Sequence, residues 1–165
     1  MPAEEQVVGS DRYVLIPRTL VFATREGAYL LVKGAAGKRI WSGLYNGVGG
    51  HLERGEDALS AARREFREET GLEAQLWLCG TVVVDAGVTG IGLYVFTGEA
   101  GPGTLLGSAE GEPEWILPNL LGRISTVSDV AAILGQIQSM KRGDPPFSGR
   151  SSYDRAGRLL ITFQR

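Results

Sequence analysis

Gly50-His51-Leu52-Glu53-Arg54-Gly55-Glu56-Asp57-Ala58-Leu59-Ser60-Ala61-Ala62-Arg63-Arg64-Glu65-Phe66-Arg67-Glu68-Glu69-Thr70-Gly71-Leu72 is the stretch on which the reading of this chain turns. Asp57 to Thr70 is predicted to be a helix, with Gly71 as its C-cap. At about 100° per residue, Glu65 and Glu69 fall on one face a turn apart, and Glu68 lies roughly 60° to the side of Glu65. Ala58, Ala61 and Ala62 share that sector and leave room beside the carboxylates. Phe66 and Leu59 sit together on the adjoining flank as a core contact, and Arg63 and Arg67 point roughly opposite the acids. A helix that mixes Glu and Arg is ordinarily a solvated face held by i,i+4 pairs. Three acids within two turns nevertheless repel one another by about a few tenths of a kcal/mol per pair, and more when partly buried. A hard divalent cation offsets that repulsion, since Mg²⁺ takes oxygen ligands from carboxylates, waters and phosphates.

Outward from this helix, the chain reads as alternating strands and turns. Tyr13 to Ala23 is a predicted strand interrupted near Pro17, and Ala28 to Lys33 pairs with it as a hairpin across Arg25-Glu26-Gly27. Gly34 to Gly50 is a loop carrying Gly34, Gly37, Gly43, Gly47 and Gly49, which let backbone approach whatever binds there. Glu73 to Asp85 and Ile91 to Thr97 are strands. Glu99 to Gly111 is a glycine-rich connection with room for a short strand, and Glu114 to Leu117 is a short extended piece. Val127 to Met140 is a second helix, with Ser128 or Thr126 as its N-cap. Lys141 to Gly149 is a loop, and Ser151 to Phe163 a terminal hairpin turning at Asp154 to Gly157. The sum is an α/β sandwich, a mixed sheet with two main helices. Residues 1–11 are read as a loose arm and 12–165 as one domain.

Bulk properties narrow the function. The chain has 165 residues, 43% hydrophobic and 22% charged, and a net charge of −2. That charge gives no general pull toward nucleic acid or an anionic membrane. No apolar run is long enough to span a bilayer, and the polar start lacks a signal-peptide core, so a cytoplasmic protein is expected. The single cysteine, Cys79, lies in an apolar stretch and reads as a small buried residue. His51 is the sole histidine, so a histidine-based nucleophile or relay is not expected.

Gly50, Glu56, Arg64-Glu65, Phe66, Glu68-Glu69, Gly71 and Leu72 stand at the spacing Gly-x5-Glu-x7-Arg-Glu-U-x-Glu-Glu-x-Gly-U. This resembles the box of the Nudix hydrolases at every defined position. Phe66 departs only in being aromatic where the family is more often aliphatic, which concerns packing and not ligands. The resemblance implies an α/β/α sandwich and Mg²⁺-dependent cleavage of a nucleoside diphosphate linkage, with Mn²⁺ able to substitute. It implies that Glu56 pairs with Arg64 and that Glu65, Glu68 and Glu69 bind metal. The backbone carbonyl of Gly49 often adds a ligand. The general base is open between Glu65 and a loop acid. Glu110, in Glu110-Gly111-Glu112-Pro113-Glu114-Trp115, looks like the loop acid that joins the metal site in MutT-like members, with Glu112 as second choice.

Leu44-Tyr45-Asn46-Gly47-Val48-Gly49-Gly50 is similar to the loop of MutT-type 8-oxo-dGTP diphosphatases, in which the Asn contacts the purine, so Asn46 is a base-reading candidate. Asp129 is placed to read a purine edge, or equally to interact with the dipole of the second helix. Trp41 and Tyr45 either stack on a base or pack. The expected reaction is hydrolysis of a (d)NTP, with oxidised purines leading, to the monophosphate and pyrophosphate. Alternatives are an ADP-ribose-type pyrophosphatase and a non-catalytic nucleotide sensor. The expected partner is a small nucleotide, with the oligomeric state open between monomer and homodimer.

Overall fold

The described chain opens on a hairpin of β1 (Val14–Arg25) and β2 (Ala28–Gly34). The computed structural model describes residues 12–37 and 40–164, and the arm expected at 1–11 lies outside them. Glu26 and Gly27 turn the hairpin with φ of 51° and 80°, the positive pair that a two-residue hairpin loop needs. β1 passes through Pro17 without the expected interruption. The Pro17 carbonyl accepts from the Leu52 N–H at 3.3 Å. The N and O of one strand residue point the same way, so the missing N–H falls on the side of that loop and not on the ladder with the neighbouring strand.

The remaining elements are β3 (Tyr45–Asn46), α1 (Ala58–Thr70), β4 (Ala74–Val84), β5 (Thr89–Ala100), β6 (Gly111–Ile116), a 3₁₀ turn over Pro118–Arg123, α2 (Val130–Ile137), β7 (Phe147–Tyr153) and β8 (Leu159–Gln164). They form an eight-stranded sheet among the described residues, in the order β3-β2-β1-β5-β4-β7-β8, with β6 also on β2. β1/β5 and β4/β7 are parallel and the other pairs antiparallel. Successive residues of β1 divide the core. Leu20 and Phe22 pack with Val130, Ile133, Leu134 and Ile137 of α2. Val21 and Ala23 pack with Ala62 and Phe66 of α1. Neighbouring strand residues face opposite ways, so one helix covers each face. The α/β/α sandwich implied by the resemblance is the architecture found.

Several boundaries differ from the sequence reading. β3 lies inside the expected loop at 34–50, and the 99–111 connection holds only the end of β5 and the start of β6. α2 begins at Val130 and ends at Ile137, inside the expected Val127 to Met140, and neither Thr126 nor Ser128 caps it. The reason is tertiary: Ser125 and Val127 run extended beside Tyr45, with hydrogen bonds of 2.9 Å each, and Ser128 Oγ bonds the Tyr153 hydroxyl at 2.5 Å. β7 starts at Phe147, inside the expected loop to Gly149. Phe147 fills the gap at the β4 bulge, where a Cβ on Gly80 would meet its ring at 2.3 Å. Phe66 is 1% exposed among Val21, Leu72, Leu76 and Phe96, so the aromatic at the aliphatic position is fully housed. Among the described residues no helix is long and apolar enough to cross a membrane.

Candidate active site

The glycine-rich loop is laid along β1 by backbone bonds. Thr19 N–H donates to Gly50 O at 2.9 Å, and Val21 N–H to Val48 O at 2.7 Å. The contact is closest at two positions. A Cβ on Gly49 would meet Thr19 O at 2.1 Å, and one on Gly50 would meet Glu65 Oε1 at 2.2 Å. The two glycines therefore bring loop backbone against both the sheet and the Glu65 carboxylate.

α1 follows from local chemistry. Asp57 caps it by accepting from Leu59 N–H and Ser60 N–H at 2.9 Å each. Gly71 ends it at φ 74°, its N–H on Arg67 O at 2.8 Å. Arg64 ties the helix to the loop. Its Nε and Nη2 donate to the two Glu56 oxygens at 2.7 and 2.9 Å, and Nη2 also donates to His51 O at 3.2 Å. Its Nη1 reaches Glu65 at 2.9 Å and Glu68 at 3.3 Å. The Arg64 guanidinium holds the Glu56 carboxyl well below its usual 4.5, at about 2, with the Glu53 backbone N–H assisting.

The three helix glutamates meet different surroundings. Glu69 is 5% exposed and turns toward the sheet, on the side of Ala62 and Phe66. Glu65 is half-buried under Gly50 and paired with Arg64. Glu68 is exposed. Glu69 lines a cavity of about 50 Å³ together with Gly49, Glu110, Asn46 and Trp41. Glu110 stands on an exposed turn closed by Ser108 N–H to Gly111 O at 3.1 Å and the reciprocal bond at 3.2 Å. Glu112 is also exposed and lies outside this cavity. Among the described residues, no three acidic, histidine or cysteine side chains stand close enough to hold a cation as positioned. The donor set around the cavity is nonetheless all oxygen: the Glu69 and Glu110 carboxylates and the Gly49 backbone. That chemistry suits a hard divalent ion.

A second cavity, of about 160 Å³, adjoins the first and shares Trp41, Asn46, Gly47 and Gly49 with it. Ligand pockets commonly span roughly 300–1,000 Å³, so this space is small for one. Its apolar lining comes from Leu20, Val84, Ile91, Leu93 and Val127. Asn46 Oδ1 accepts from Gly47 N–H at 2.8 Å, so its Nδ2 donors are the atoms left to a ligand. Asp129 also lines the cavity. It occupies the N-cap position of α2 yet makes no capping hydrogen bond. Burial pushes its carboxyl above the usual range. Tyr45 is packed in the core with its hydroxyl on Glu114 at 2.9 Å, so of the two loop aromatics only Trp41 borders the cavities.

Sequence reasoning missed Thr19 and Ser151, both buried and both lining the larger cavity. The Thr19 hydroxyl finds no hydrogen-bond partner among the described residues. A threonine in an apolar strand and a serine in a terminal hairpin carry no local signal of such a place.

A helix that turns a buried glutamate toward a glycine-rich loop, braced by a Glu–Arg pair and set on a mixed sheet, defines a class before any comparison. The NUDIX domain family model matches residues 15–124, and the chain belongs to this family of hydrolases, which generally use divalent cations. Solved structures extend the likeness over most of the chain. The MutT protein of Bacillus halodurans is 24% identical, with a TM-score of 0.76 over 91% of this chain and 98% of that one. The MutT protein of Methanosarcina mazei is 21% identical, with a TM-score of 0.65 over 78% and 98%. The NUDIX domain of Shewanella oneidensis NrtR, solved with ADP ribose, is 14% identical, with a TM-score of 0.63 over 78% and 88%. At these identities the likeness is one of fold.

Proposed function

We propose that the protein hydrolyses a purine nucleoside triphosphate, with 8-oxo-dGTP the leading candidate, to the monophosphate and pyrophosphate. The observation that carries this reading is Asp129: a desolvated carboxyl at a helix N-terminus that does not cap the helix and instead lines the cavity that Asn46 also lines. Asn46 Nδ2 donates to a purine carbonyl, and Asp129 accepts from, or when protonated donates to, the adjoining edge. Thr19 completes the polar lining. With the base there, the phosphates extend past Gly49 to the acids.

Glu69, Glu110 and the Gly49 carbonyl, with Glu65 and Glu68 of the same helix as Glu69, are the groups that would hold Mg²⁺, or Mn²⁺ in its place. A bound divalent ion neutralises phosphate charge and lowers the cost of ionising water. Water oxygen bonds to phosphorus, the bond from that phosphorus to the bridging oxygen breaks, and pyrophosphate leaves. Glu110 takes the proton of the water in this reading, because it shares the cavity of Glu69. Glu56 and Arg64 act by positioning the loop against the helix.

The test is a substrate panel with Mg²⁺: 8-oxo-dGTP, the common (d)NTPs and ADP-ribose, read as pyrophosphate or phosphate release, with Glu69→Gln as control. Turnover of (d)NTPs well above ADP-ribose is expected, and it should fall at least about a hundredfold in Glu69→Gln, within the range for loss of general acid–base or charge-stabilising groups. Turnover of ADP-ribose above every (d)NTP overturns the substrate. Glu110→Gln with undiminished activity overturns its role as base.

A further inference from the structure

Two residues other than glycine have positive φ among the described residues, Glu26 at 51° and Trp41 at 65°. The first belongs to the β1–β2 hairpin turn, where the geometry calls for it. The second has no such reason. For a bulky side chain the left-handed region is unfavourable, and such an outlier persists where its surroundings hold it in place. The backbone hold on Trp41 is visible: its carbonyl accepts from Leu44 N–H at 3.1 Å, and Gly34 packs so closely that a Cβ there would meet that carbonyl at 2.2 Å. The indole gains little in return from burial, since Trp41 is 43% exposed. Its place is specific, however. Trp41 borders both the base-sized cavity and the cavity of Glu69 and Glu110, and shares that position with Asn46, Gly47 and Gly49. A nucleotide with its base in one cavity and its phosphates in the other passes this residue.

The geometry points to Trp41 as a substrate-contacting specificity residue, whose indole stacks on the bound base at the junction of the two cavities and whose left-handed backbone is kept for that purpose. This rests on the nucleotide reading given above. Stacking needs only a planar π face, so Trp41 supplies affinity for bases while Asn46 and Asp129 choose among them.

Glycine at this position removes the indole and the backbone conflict together, which separates a ligand role from a packing role. In titration calorimetry with Mg²⁺, Trp41→Gly should bind 8-oxo-dGMP about tenfold more weakly than wild type, the scale of losing one base–aromatic stack. Its affinity for inorganic pyrophosphate should be unchanged, Trp41→Phe should stay within about threefold for both probes, and the ligand-free melting temperature of Trp41→Gly should be equal to or above wild type. Equal 8-oxo-dGMP affinity in Trp41→Gly and wild type overturns the inference, as does a melting temperature lowered by several degrees, which would make the indole a packing element. Failure of the underlying reading shows separately, in the wild type: if it takes ADP-ribose and no (d)NTP, the same two variants titrated with ADP-ribose still decide Trp41.

Discussion

Asp129 shows how a single side chain reports on function through what it does not do. An acid at a helix start ordinarily gains by accepting from the first N–H groups. Asp129 makes no such bond and is instead desolvated beside the cavity. Its carboxyl, normally near 3.8, is raised by burial. Between 3.8 and the raised value, the folded protein holds a proton that the unfolded chain has lost, so stability falls as pH rises through that window and stays lowered at neutral pH. Asp129→Asn removes this cost. It should melt at a higher temperature than wild type at pH 7 while its KM for 8-oxo-dGTP rises about tenfold or more, the scale of losing one charged or shared hydrogen bond to substrate. A variant that melts lower with unaltered KM would make Asp129 an ordinary helix residue. Cys79 is the contrasting case: burial alone pushes its thiol up to about 12, and the reading of a small apolar residue is sufficient.

At the scale of elements, the loop–helix junction is held by charge. Glu56 receives two Arg64 bonds and the Glu53 N–H. Its depressed pKa means that its contribution is complete above the usual 4.5 and is lost as pH falls toward about 2. The Glu56→Gln variant should therefore be less stable than wild type near neutrality, and the gap should close between pH 4.5 and about 2 in denaturation curves. A gap that persists unchanged at pH 2 would place the effect in packing. How far each element was legible follows the range of the forces that set it. α1, its Gly71 cap and the turns at Glu26-Gly27 and Asp154–Gly157 were readable because caps and turns are local chemistry. The start of α2 was not, because pairing of residues 125–127 with Tyr45 and the Ser128–Tyr153 bond outweighed a local capping preference. Pro17 misled because the side its missing N–H faces depends on which partner lies there. Trp41 was open between stacking and packing because a loop residue's sequence does not say which cavities it borders.

Across the whole molecule, the acids and the base cavity are assembled from separate stretches: β1, the loop from Trp41 to Gly50, α1, the Glu110 turn, the start of α2 and β7. The box at 50–72 was legible because its spacing lies within one loop and helix, whereas the cavity was not, since its walls meet only through sheet order. That assembly has a thermodynamic consequence. A ligand that needs Glu69, Glu110 and the Gly49 backbone together binds the folded chain and not the unfolded one, so it raises stability by mass action. At about a hundredfold excess over its dissociation constant the gain is about 2.7 kcal/mol. For a chain of this size each kcal/mol moves the melting temperature by about 2–4 °C. Mg²⁺ or Mn²⁺ at millimolar concentration should thus raise the melting temperature by roughly 5–10 °C if binding is near ten micromolar, and a chelator should reverse it. Glu69 is the buried carboxylate of the set, so Glu69→Gln should lose most of the shift. Glu68→Gln alters an exposed side chain and should keep more than half of it. An equal metal-induced shift in Glu69→Gln and wild type would move the cation away from this cavity and onto the outer acids of α1.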